Sequence, residues 1–269
     1  MITLDNFFNS SPELYDIDLL QEDVGGGEIS YKDIDIIADY PNAKSIIISG
    51  LKQDTFDYFV KKYGNQFEAI SLWKNKSVRD LSSLAELNRV KYINYYHNQM
   101  ASGLWDMSNN RELVGLSIMD FTKIRSISQI ETSNSLLCFR LGNEIYDKME
   151  IDSFKPLTKT NITHFTWLGK KLLDGDYKCL ADSEIKVLDI NPTSFTMNEL
   201  AELLSHFPES LKGTITKPYV IGRVVYKDNM TVYYNLCKGK KKCVEGVDDD
   251  RLGKYLKEFD QLREEYRAK

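Results

Sequence analysis

The sequence predicts an α/β solenoid of stacked short parallel strands, and three observations carry that expectation. The first is a recurring template, apolar-x-x-apolar-x-apolar. It fits Ala43/Ile46/Ile48, Phe67/Ile70/Leu72, Val90/Ile93/Tyr95, Leu113/Leu116/Ile118, Leu136/Phe139/Leu141, Ile162/Phe165/Trp167 and Ile185/Leu188/Ile190. The second is its spacing. After a first step of 24 the starts fall 23 apart, one step of 26 interrupts the series, and 23 returns. The third is that every template position is apolar or aromatic, in a chain only 42% hydrophobic.

The template has a physical reading. Positions four and six share one face of a short strand, because side chains alternate with period two. One such strand cannot bury its apolar face alone, so successive units stack and share a continuous core. The chain resembles the leucine-rich-repeat family, whose pattern is Leu-x-x-Leu-x-Leu-x-x-Asn/Cys-x-Leu. The resemblance covers about residues 43–210 and departs from the pattern in two ways. The family's asparagine stands only at Asn75 and Asn98, and leucine is largely replaced by Ile, Phe, Tyr and Trp. The resemblance implies a curved parallel sheet on the concave side, helices and irregular turns on the convex side, and terminal caps. In the family that asparagine bonds the backbone of the turn after the strand.

Between strands the sequence varies. Residues 54–64, with i/i+4 aromatics and a closing Gly64, predict a helix capped near Asp54. Met197 to Phe207 predicts another, with Leu200, Leu203 and Leu204 on one face. Ile124, Ile127 and Ile130, three apart, point to a 3₁₀ or irregular turn. The longer unit places its insertion between Leu141 and Ile162, around Phe154-Lys155-Pro156-Leu157.

Residues 1–42 are assigned as an N-terminal helical cap, with Ser11-Pro12-Glu13-Leu14 as a helix start, a Gly25-Gly26-Gly27 break and a second helix over Ser30 to Tyr40. Residues 43–217 form the solenoid of about seven units, with Leu211–Thr216 a degenerate further strand. Residues 218–269 form a cap or a small interaction module. There Val220–Tyr226 and Met230–Leu236 flank Lys227-Asp228-Asn229 as a hairpin. Asp248-Asp249-Asp250 caps a final helix with Leu252, Tyr255, Leu256, Phe259 and Leu262 along one face.

Composition narrows the function classes. No apolar stretch is long enough for a membrane span, and the start lacks the basic region of a signal peptide. Four cysteines scattered over 269 residues read as reduced thiols in a cytoplasmic protein, although Cys237 and Cys243 could meet across a hairpin; the resemblance implies a divergent, bacterial member of the family. Charge is polarised. Residues 1–42 hold ten acids against Lys32, and residues 211–269 hold fourteen bases against nine acids.

No constellation of catalytic or metal-binding type is found. The histidines, His97, His164 and His206, have no ligands at metal spacing, and His97 and His164 are expected to meet solvent. Gly25-Gly26-Gly27 lacks the Lys-Ser/Thr of a phosphate loop. Neither an enzymatic activity nor a cofactor is expected.

The sharper signal lies on the outward face of the strands. Trp73, Tyr96 and Met119 fall in register and predict an exposed stripe, with Lys74, His97, Asp120 and Asn143 along its border and Arg140 beside it. Aromatic, Met and Arg groups ringed by polar ones have the composition of interface hot spots. The expected function is non-enzymatic recognition of a protein partner on the concave sheet face, with an inhibitor or immunity protein as a specialised form. The alternative is a nucleic-acid-associated protein using the basic C-terminal region, including Lys238-Gly239-Lys240-Lys241-Lys242.

Overall fold

The structure, a computed structural model, describes residues 1–22, 28–145, 148–226 and 229–269. Gly25-Gly26-Gly27 and Lys227-Asp228, expected as a break and a turn, lie outside the described residues. The chain forms two compact units, Met1–Glu184 and Ile185–Lys269, whereas the sequence predicts divisions at 42/43 and 217/218.

In the first unit the elements run β1 (Ile17–Leu19), α1 (Tyr31–Asp35), β2 (Ser45–Ile48), α2 (Gln53–Tyr63), β3 (Ala69–Trp73), β4 (Tyr92–Asn98), β5 (Gly115–Phe121), β6 (Cys138–Gly142), β7 (Glu150–Ile151), β8 (His164–Leu168) and β9 (Lys171–Leu172). Strands β1, β2, β3, β4, β5, β6 and β8 pair in that order, all parallel. Their register aligns the repeats: Ile46, Ile70, Ile93, Leu116, Phe139 and Phe165 form one row, and Ile48, Leu72, Tyr95, Ile118, Leu141 and Trp167 another. Of the template residues only Ala43 escapes full burial. Each such side chain withdrawn from water contributes about 1.5–3 kcal/mol, and this repetition holds the stack together.

Strand β1 was not foreseen. Leu14, Ile17 and Leu19 repeat the template, but the step of 29 to Ala43 hides them, and Ile17 and Leu19 extend the two rows beside Ile46 and Ile48. The N-terminal stretch is therefore only partly helical. Ser11 precedes a 3₁₀ turn over Pro12–Leu14, and the helix expected over Ser30 to Tyr40 divides into α1, capped by Ser30 and Asp33, and a 3₁₀ turn over Ile36–Asp39.

On the other side of the core α2 occupies one unit and 3₁₀ turns occupy others, at Ser82–Glu86, Ser128–Thr132, Lys155–Lys159 and Lys178–Asp182. Helix α2 starts one residue before Asp54, where the Thr55 hydroxyl accepts from the Lys52 amide at 3.0 Å. Gly64 does not close it through a left-handed conformation, its φ being -53°. Its role is steric, since a Cβ there would lie 2.4 Å from Leu87. The lengthened unit carries β7, which pairs in parallel with β9.

The asparagine positions act as the resemblance implied. Asn75 accepts from the Leu51 amide and donates to the Ile48 carbonyl. Asn98 donates to the carbonyls of Asn75 and Val78 and accepts from the amides of Met100 and Ala101. Both side chains are fully buried, so they satisfy backbone groups that water cannot reach. A second periodic feature has no sequence signature. The second residue after the second core row takes a positive φ in successive units, at Gly50, Lys74, His97 and Asp120, and only the first is glycine.

The second unit runs β10 (Val187–Ile190), α3 (Met197–Ser205), β11 (Tyr219–Tyr226), β12 (Asn229–Leu236), β13 (Cys243–Val244) and α4 (Asp249–Arg267). A capping box between Thr196 and Glu199 starts α3. Strands β11, β12 and β13 form an antiparallel sheet in that order. The strand expected over Leu211–Thr216 is reduced to one bridge, Val187 with Lys212, and a 3₁₀ turn over Thr214–Thr216. Gly213 breaks it, with φ 110° and no room for a Cβ against the Leu188 carbonyl. Helix α4 begins as expected, but its aspartates do not cap it by side chain. Asp248 accepts from the Val244 amide and pairs with Arg251, and Asp249 accepts from the Gly246 amide. All four cysteines are free, Cys237 and Cys243 included. No helix among the described residues is long and apolar enough to cross a membrane.

Candidate protein-interaction site

The sheet face opposite the repeat core is not open along its whole width. Residues from the N-terminal stretch fold over it and build a second, smaller core in which Ile2, Phe7 and Tyr15 pack with Ile47 and Ala69, flanked by Leu4, Leu14, Trp73, Tyr92 and Cys138. The Phe7 ring stacks on Tyr92 at 5.8 Å. Asn94 donates to the Phe8 carbonyl and to the Ser10 hydroxyl, and the Tyr15 hydroxyl donates to the Asn9 carbonyl. Outward residues Ile47, Ser71, Asn94 and Ser117 are buried as a result. The Ser117 hydroxyl is buried with no hydrogen-bond partner among the described residues.

This cover corrects the exposure expected of the stripe. Trp73, Tyr96 and Met119 do lie side by side in register, but Met119 is 1% exposed and Tyr96 8%. Trp73 is half-buried against the second core, with the Lys74 ammonium 4.1 Å from its ring centroid. The border residues also turn inward. His97, expected in solvent, is buried within β4, and Asp120 is buried at the end of β5.

For Asp120 the physical reason is the loop that follows β6. Asp120 accepts from the Asn143 side chain at 3.0 Å and from the amides of Glu144 and Ile145. Asn143 in turn accepts from the amides of Lys148 and Met149. Two residues predicted to meet a partner therefore organise a loop. Burial pushes the His97 imidazole below its ordinary range, reinforced by the Lys76 and Lys74 ammoniums and opposed by the Asp120 carboxylate.

An open cleft of about 480 Å³ remains at the C-terminal ends of β3, β4 and β6. Trp73, Lys74, Tyr96 and Arg140 line it, together with Phe8, Asn9, Ser10, Glu144 and Ile145. The Arg140 guanidinium lies 4.7 Å from the Phe8 ring centroid and 3.0 Å from a Glu144 carboxylate oxygen. Ile145 is 67% exposed. Of the predicted residues the structure brings four into this cleft and makes Asp120 and Asn143 supports of the neighbouring loop, while His97 and Met119 are buried. Phe8 and Ile145 were missed. The adjacent Phe7-Phe8 pair was a signal, because two aromatics in a polar segment need a surface to cover. Among the described residues no group of three His, Cys, Asp or Glu side chains could hold a metal ion.

No protein-family model matches the chain, and no curated protein is similar to it. A solved structure of an internalin from Listeria monocytogenes is similar at 16% identity and a TM-score of 0.41, over 65% of this chain. The match spans 48% of that protein, about half its length. The repeat geometry itself decides the fold: one strand per unit, parallel pairing in register, and buried asparagines bonding the turns. The fold is a leucine-rich-repeat solenoid. Repeat scaffolds of this kind share their core while outward residues set what they bind, which directs attention to the cleft.

Proposed function

We propose that this protein is a non-enzymatic recognition module that binds a protein partner through the cleft beside Trp73, Tyr96 and Arg140. The observation that carries this reading is the cleft's make-up: three aromatic rings, two cations and an exposed Ile145 around one opening. Aromatic and Arg anchors with a polar rim are the groups that dominate protein interfaces. A specialised form is an inhibitor or immunity protein. The scattered free thiols suit a reducing, cytoplasmic setting.

The test is capture of a partner on the immobilised protein, followed by affinity measurement with Arg140→Ala and Ile145→Asp. Both should weaken binding by tenfold or more, about 1.4 kcal/mol each. Unchanged affinity in both sinks the cleft as the site.

A second reading has its own observation. Lys240 and Lys242 line a polar cleft with Asn191, Thr193 and Asn235 in the second unit, a place where an anionic nucleic-acid backbone would be held. Binding there would fall steeply as salt is raised, whereas binding at the aromatic cleft would change little.

A further inference from the structure

The second unit carries a surface that the cleft does not use. Strand β11 is at the edge of its three-stranded sheet, and only one residue in it, Arg223, is charged. Natural edge strands are blunted by charges, prolines, bulges or short length. This one runs eight residues, Tyr219–Tyr226, paired to β12 without interruption. The apolar side chains around it are open to solvent: Ile221 at 49%, Val224 at 50%, Val225 at 69%, and Met230 on β12 at 62%. Alternate backbone N–H and C=O groups of an antiparallel edge strand point away from its neighbour, so β11 offers a row of hydrogen-bonding groups bordered by apolar side chains.

We infer that β11 pairs antiparallel with β11 of a second copy of this chain, across a twofold axis at Gly222. The occupant follows from the strand's own sequence. An isologous contact must place each residue opposite one on the same face of the sheet. Centring at Gly222 sets Val220 opposite the partner's Val224, Tyr219 opposite the partner's Val225, and Ile221 opposite the partner's Arg223. Apolar β-branched and aromatic residues then meet, the pairs that stabilise sheets. Centring one residue later, at Arg223, would set two guanidiniums against each other, which is unfavourable. Gly222 tolerates the axis because its own face is covered by Tyr233, whose ring would meet any Cβ there at 2.4 Å. The two sheets become one of six strands, and two unpaired edges vanish.

The register makes the test specific. The mass of the full-length protein is followed by sedimentation equilibrium over a concentration series reaching the high micromolar range. A transition from monomer to dimer is expected. Ile221→Lys places an ammonium opposite the partner's Arg223 twice per dimer and should weaken association about tenfold. Ile221→Glu places a carboxylate there and should associate at least about tenfold more tightly than Ile221→Lys. Thermal unfolding of each variant establishes that the fold is retained, and Val225→Lys, two pairs further out on the same face, provides a second disrupting change. A wild-type protein monomeric throughout overturns the proposal. So does a dimer indifferent to all three substitutions, and equal weakening by Lys and Glu overturns the Gly222-centred register.

Discussion

Phe7 stacks on Tyr92 and occupies the space above Gly115, where an added Cβ would lie 3.1 Å from its ring. This one relationship shows that the N-terminal stretch and the repeat sheet are fitted to each other. Strand β5 opens with a glycine where the aromatic ring needs room.

Removing that ring should loosen the cover. Phe7→Ala is expected to cost about 3 kcal/mol and to raise hydrogen exchange in residues 1–15 and along β4 and β5. Gly115→Leu should produce the same exchange pattern from the opposite side. If neither changes protection in residues 1–15, that segment is not held by Phe7.

The asparagine ladder should respond steeply. Asn98→Ala leaves the amides of Met100 and Ala101 and the Val78 carbonyl without their side-chain partner, at about 2–3 kcal/mol. Tyr95→Phe removes only the hydroxyl that donates to the Asn75 carbonyl and accepts from Asn98, so about 1 kcal/mol is expected. Denaturant midpoints compare the two, and a larger loss for Tyr95→Phe would contradict the ladder.

Stability should fall on mild acidification through His97. Its folded-state pKa is below the ordinary 6.5, so the unfolded chain binds the proton more readily. The stabilising contribution is fully present above about 6.5 and is lost as pH falls through the depressed value. His97→Gln should flatten that part of the melting-temperature profile. Asp35 acts in a separate window: Lys62, Tyr58 and Tyr63 hold it at about 2, so its contribution is lost only as pH falls below the ordinary carboxylate range. A His97→Gln profile that still falls between pH 7 and 5 would place the sensitive group elsewhere.

Asp120→Ala should release the loop it holds without disturbing the repeat core. Three donors lose their acceptor, and about 2 kcal/mol of stability is expected to go. Exchange should rise at Glu144 and Ile145 while residues of β3 and β4 stay protected. Because Ile145 borders the cleft, partner affinity should drop with it.

The repeat was legible in the sequence because it is a one-dimensional property. Apolar spacing of 23 residues can become a buried face only by stacking, so strand positions, the two core rows and the roles of Asn75 and Asn98 followed from residues 43–190. The hairpin and α4 were legible for the same reason, since turn residues and a helical apolar stripe act locally. The candidate site was legible only in part. Alternation correctly set Trp73, Tyr96 and Met119 on one face and in one row, but alternation says which way a side chain points and not what lies above it. What covers that face is decided by Phe7 and Tyr15, which take no template position and are drawn in by apolar area that only the assembled sheet presents. Likewise the positive φ at Lys74, His97 and Asp120 comes from the repeat turn rather than from their own preference. Asp120 and Asn143 became loop supports because the insertion after β6 folds back onto strand ends distant in sequence.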